Sequence, residues 1–163
     1  MAQAFTQRGI SLIEMVVAIV VIGLAIPALT RNWYDVTVRS SRSEAMADAG
    51  FYAAQMMENI TALRFDEELN PPWTPKEQFG CGRQDENDET GADSFDDVDD
   101  YDGYSNTTQD RFLRTVQVDY ISLDGAAWQT AGVETDFKRV EVRVSKQQPG
   151  AGTVTIATIV GRY

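Results

Sequence analysis

One carboxylate stands alone in a long apolar run. From Ile10 to Leu29 the chain has twenty residues and a single charge, Glu14. A helix of that length spans roughly 30 Å, the hydrocarbon thickness of a bilayer. Val, Ile, Leu and Ala dominate it all round, whereas a soluble amphipathic helix keeps a polar face. A carboxylate inside hydrocarbon costs about 2.5–3.5 kcal/mol on insertion scales, so an acid in such a place implies a function and a partner.

Three readings of this segment compete. A removable secretory signal has an apolar core of about 7–15 residues followed by a small-residue cleavage site. The run here is longer, and Ile26-Pro27-Ala28-Leu29-Thr30 makes a poor site. A plain signal anchor explains the length and leaves Glu14 as an acid that snorkels to the interface. The third reading explains both features. The residues Gln7-Arg8-Gly9-Ile10-Ser11-Leu12-Ile13-Glu14 resemble the prepilin motif of the type IV pilin and pseudopilin family. That motif has a basic residue and glycine, then an aromatic or aliphatic residue, Thr or Ser, two aliphatic residues and Glu. The usual Phe is replaced here by Ile10. The resemblance covers roughly the first 30 residues, and Gly23 to Pro27 is similar to the helix-loosening stretch of the family.

What the resemblance implies is specific. A leader, Met1 to Gly9, is cut between Gly9 and Ile10 by a prepilin peptidase, and the new Ile10 amine is N-methylated. Gly9, without a side chain, lets a protease approach the backbone, and Arg8 holds the leader on the cytoplasmic side. Glu14 lies one helical turn from Ile10 and on the same face. In the family the glutamate pairs with the Ile10 amine of a neighbouring subunit during assembly. A buried charge without its partner is the penalised state, so such a pair sets register.

The other residues that could do chemistry are acids. The net charge is -11, and the acidic excess gathers between Asp66 and Asp110. This argues against nucleic acid, which needs clustered Lys and Arg, and against adhesion to anionic lipid. With no histidine in the chain, the usual triads and the commonest zinc ligand are missing. No glycine-rich phosphate loop is present. The expectation is a protein without cofactor, metal or enzymatic activity. An EF-hand register counted back from Gly103 places Asp102 and Asp100 correctly but fails at Val98. The acidic run is therefore expected to be a solvated loop, with a calcium site as the alternative. The single cysteine, Cys81, is either a loop thiol or one half of an intermolecular disulfide.

The elements that must position these residues follow from periodicity. Pro27 should kink or loosen the first helix. Ala45, Ala49, Ala53, Met56, Ile60 and Leu63 then recur at spacings of three and four, predicting an amphipathic helix that ends near Leu69, before Asn70-Pro71-Pro72. Val116, Val118 and Tyr120, then Val140, Val142 and Val144, then Val154, Ile156, Thr158 and Val160 alternate as half-buried strands. Asp124-Gly125 and Pro149-Gly150 mark turns. The predicted organisation is a leader at 1–9, a transmembrane and assembly helix at 10–30, and an amphipathic head helix at 31–69. An acidic irregular loop at 70–110 and an antiparallel sheet at 111–163 follow. The fold class is α+β and pilin-like: a long N-terminal helix, its first half transmembrane, packed on an antiparallel meander of three or four strands.

Arg64-Phe65-Asp66-Glu67, with Phe95-Asp96-Asp97-Val98-Asp99-Asp100-Tyr101-Asp102-Gly103, is similar to the D-type minor prepilins of mannose-sensitive-haemagglutinin pili. That group commonly has two cysteines in this region, where this chain has Cys81 alone. The expected function is a minor pilin-like subunit that supports filament assembly or adhesion. Its expected partners are other pilin subunits, the prepilin peptidase, the pilus assembly platform and the bacterial inner membrane. The N-terminus is expected in the cytoplasm and the head in the periplasm, then on the cell surface in a pilus. A type II secretion pseudopilin and a signal-anchored extracytoplasmic binding module are the alternatives.

Overall fold

The computed structural model describes residues 11–80, 91–109, 111–147 and 152–162. One long helix, α1 (Leu12–Thr61, 50 residues), is followed by five strands: β1 (Ser105–Thr108), β2 (Phe112–Asp124), β3 (Ala127–Thr130), β4 (Phe137–Lys146) and β5 (Thr153–Gly161). Two 3-10 turns, Lys76–Gln78 and Asp99–Tyr101, lie between α1 and β1. This is the α+β arrangement expected for a pilin-like chain. The molecule divides into two compact units whose boundary falls within α1, between Ser41 and Arg42.

In the first unit the apolar part of α1 has a mean hydropathy of 2.7 over its most apolar window, and none of that window is buried. Among the described residues it is the one helix long and apolar enough to cross a membrane. Leu12, Ile19, Leu24 and Leu29 all stand exposed, and so do Trp33 and Tyr34 just beyond. Aromatic rings at that point suit a membrane–water interface. The expected kink or loosening at Pro27 does not interrupt the helix, which runs through it without a break. Proline removes one backbone donor, which leaves the Gly23 carbonyl without its helical partner, and one turn on Thr30 donates its hydroxyl to the Ile26 and Pro27 carbonyls at 3.1 and 3.0 Å. One missing bond in a segment of this length does not end a helix, and such prolines are tolerated in membrane spans.

The second unit is the head. Its helical share buries Ala49, Ala53, Met56, Met57 and Ile60, the stripe that the three-and-four spacing predicted. Ala45 and Leu63 are half-buried at its ends. The helix stops at Thr61, short of the expected Leu69. Arg64 pairs instead as a bridge with Asp97, its carbonyl accepting from the Val98 amide at 3.0 Å. That pairing takes the backbone groups another helical turn would need.

The sheet is antiparallel in the order β1-β2-β4-β5, with β3 paired to the far end of β2. Register places Val116 opposite Val142 and Val142 opposite Ile156; Val118 faces Val140, and Tyr120 faces Lys138. Val116, Val118, Val140, Val142 and Val144 are buried in one core with the α1 stripe, Trp73, Phe79, Phe95, Val98 and Tyr101. Each buried valine contributes about 1.5 kcal/mol or more. The expected meander of three or four strands thus gains a fifth: the short β3 hairpin turns at Gly125, whose φ is +64°. The sheet also starts earlier than expected, since β1 falls inside the stretch read as irregular loop. Pro149-Gly150, predicted as a turn, lies outside the described residues.

Candidate functional site

Two places carry chemistry. The first is the start of α1. Glu14 sits in its first turn and is exposed, between the equally exposed Ile13 and Met15. It is the only ionisable residue from Leu12 to Thr30. The turn that presents it is closed by the Met15 amide donating to the Ser11 carbonyl at 3.1 Å. Among the described residues no hydrogen bond or ion pair engages its carboxylate. Gly9 and Ile10, the predicted cut site, lie outside the described residues, and so does Cys81.

The second place is inside the head, and the acidic loop builds it. Asp66, Asp97, Asp99 and Asp100 are 3%, 1%, 4% and 4% exposed. The expectation of a solvated loop is therefore corrected for this stretch: it folds onto the sheet, because its acids find donors. Asp97 Oδ1 accepts the Asp99 and Asp100 amides at 3.0 and 3.3 Å. Asp100 Oδ2 accepts those of Asp96 and Asp97 at 3.0 and 3.1 Å. Asp102 accepts the Val118 amide at 2.9 Å and the Lys76 ammonium at 2.8 Å. A loop whose charges take backbone donors has its polar groups satisfied and can leave water. Val98, where the EF-hand register fails, is fully buried in the core.

The centre of this cluster is Lys138, 0% exposed. It stands on the inward face of β4, in phase with Val140, Val142 and Val144. Its three ammonium protons go to the Phe65 carbonyl at 2.7 Å, Asp66 Oδ2 at 2.8 Å and Asp99 Oδ1 at 2.5 Å. The rings of Phe65, Phe79 and Tyr120 surround it, with centroids 4.4, 4.9 and 5.3 Å away. Asp66 also accepts from the Glu68 amide and from the Thr74 amide and hydroxyl. The Tyr120 hydroxyl lies 3.4 Å from Asp66 and donates at 2.8 Å to the Thr74 carbonyl.

Burial raises the Asp97 carboxyl to about 9, and the neighbouring charges of Asp99 and Asp100 push the same way. Burial also raises Asp99, against the pull of Lys138. The Tyr120 phenol is raised by burial and by Asp66 and Asp99. Such displacements follow from removing charge from water and placing like charges together.

Carboxylate oxygens of Asp96, Asp97 and Asp100 come within 4.8 Å of one another, a spacing that could take a cation. Their engagement argues for a brace instead: Asp96 pairs with Arg64, and the other two hold loop amides. Sequence reasoning missed Lys138 and its aspartates. The available signal was a lysine at a position whose period-two partners are all valine.

Residues 5–26 match a family model described as the prokaryotic N-terminal methylation motif. The matched segment contains Gly9, Ile10 and Glu14 and stops short of the head. It supports a type IV pilin-like or pseudopilin precursor, a structural and non-enzymatic kind of protein. The motif implies dealings with a prepilin peptidase and with other pilus subunits, and together with the apolar helix it suggests membrane anchoring. No curated protein and no solved structure matches the chain.

Proposed function

We propose that the chain is a minor type IV pilin-like subunit. Prepilin peptidase cuts it between Gly9 and Ile10 and the Ile10 amine is methylated. The apolar part of α1 then holds it in the inner membrane with the head on the periplasmic side. From there the assembly platform moves it into a pilus, where Glu14 meets the Ile10 amine of a neighbour and the head supports assembly or adhesion. The observation that carries this is the methylation-motif match at 5–26 running directly into an apolar, unburied helix with one acid. An acid that costs free energy in hydrocarbon is retained when assembly supplies its counter-charge. The minor role rests on the likeness of Arg64 to Glu67 and Phe95 to Gly103 to the D-type prepilins.

Mass spectrometry of the mature chain tests the proposal. Its N-terminus should be methylated Ile10. A chain that keeps Met1 in cells with active prepilin peptidase would overturn it. The same motif serves type II secretion pseudopilins, so deletion should remove or alter surface pili while leaving protein secretion intact.

A further inference from the structure

We infer that Lys138 and Asp99 become joined by an intrachain amide bond between Nζ and the Asp99 side-chain carbon, formed in the folded head with loss of one water. Lys138 is the unusual member of β4: a lysine on the core face, fully enclosed. Its Nζ lies 2.5 Å from Asp99 Oδ1. That contact leaves the carboxyl carbon at about the 3–3.5 Å of a near-attack arrangement. Three aromatic rings wall the site from water, which removes the solvent that would otherwise favour the charged pair and hydrolyse an activated carboxyl.

The two aspartates on Lys138 are not equivalent. Asp66 takes amide and hydroxyl donors from Glu68 and Thr74 besides the lysine. Those donors occupy both of its carboxylate oxygens. Asp99 has the lysine, and its backbone amide donates to Asp97 Oδ1 at 3.0 Å, which brings the Asp97 carboxyl beside it. Burial favours the neutral acid at both Asp97 and Asp99. Asp66 and the Phe65 carbonyl thus aim Nζ, Asp99 receives it, and Asp97 carries protons.

The step balances without a further reactant. A proton passes from Nζ to Asp99 along their hydrogen bond, leaving a neutral amine beside a neutral acid. The Nζ lone pair then forms the C–N bond. The nitrogen gives a second proton towards Asp97 as Asp97 gives its own to the departing hydroxyl. The C–O bond breaks, water leaves, and Asp97 ends as it began. Nothing is oxidised or reduced. Residues 99 and 138 sit on separate elements, the acidic 3-10 turn and β4, so the bond would tie the loop to the sheet covalently. It concerns the head alone and forms whether or not the leader is cut.

The test is a tryptic digest of the full-length chain purified in detergent and denatured. A branched peptide is expected, joining 84–111 to 115–139 and lighter than their sum by one water, with cleavage after Lys138 blocked. Lys138→Met should abolish that peptide. On a denaturing gel the wild-type chain should run ahead of the Lys138→Met chain by a margin that reductant does not change. Unlinked 84–111 and 115–138 peptides from the folded wild-type chain would overturn the inference. So would a branch to 65–76, which contains Asp66 in place of Asp99.

Discussion

Replacing Glu14 by alanine separates processing from assembly. Glu14 lies two residues beyond Leu12, where α1 begins, about 3 Å along the axis at 1.5 Å per residue. The apolar stretch Leu12–Leu29 covers about 27 Å. An ionised carboxylate at the centre of such a stretch costs about 2.5–3.5 kcal/mol, which is the upper limit for one near its end. A subunit waiting in the membrane carries this penalty, and pairing with a neighbour's Ile10 amine relieves it. Alanine removes the penalty and its relief together, so insertion improves while the drive to assemble falls by up to about 3 kcal/mol. At 1.4 kcal/mol per decade this is roughly a hundredfold weaker association. The assay co-expresses tagged wild-type and Glu14→Ala chains, shears the filaments and compares the tags in filament and membrane fractions. Leader cutting, followed by mass, should be nearly unchanged, and the variant's share of filaments should drop to a few per cent of wild type or less. Equal incorporation would refute the pairing argument.

Three further outcomes concern the head. Gly80 has φ +91°, and a Cβ there would lie 2.5 Å from the Asp102 carbonyl oxygen. Gly80→Ala should therefore lower stability by about 1–3 kcal/mol from backbone strain alone, and an unchanged melting temperature would contradict the loop packing. Ile60 is fully buried on α1, and Ile60→Ala should cost about 2–5 kcal/mol in denaturant unfolding. Asp97 makes stability depend on pH. Its folded value, about 9, stands above the ordinary 3.8, so between those values the native state holds a proton that the unfolded chain releases. Its contribution is complete below pH 3.8 and is lost as pH rises through about 9. Arg64, Asp100 and, while they are unlinked, Asp99 and Lys138 are the charged groups that act on it. Asp97→Asn should flatten the decline on the alkaline side, and parallel stability–pH curves for the two chains would show that Asp97 does not carry it.

The apolar run with Glu14, the Ala49–Ile60 stripe and the alternating valines of β2, β4 and β5 were legible in the order of residues. Each is a local period, 3.6 for a helix or two for a strand, and burial follows from which face the period makes apolar. The helix end was misread because the residues after Thr61 still suit a helix. What stops it is Arg64 bridging to Asp97, a partner distant in sequence. The acidic stretch was misread for a related reason. Acids in a row repel and stay wet unless donors meet them, and their donors here are loop amides, Lys76 and Lys138. Lys138 itself breaks the β4 pattern without saying why, since its reason lies in Asp66, Asp99 and three aromatic rings contributed by other segments. The lone acid in the membrane run needs only its neighbours in the chain to be recognised. The buried lysine is recognised only when the tertiary structure brings carboxylates to it, because a charge can leave water only where folding assembles its counter-charges.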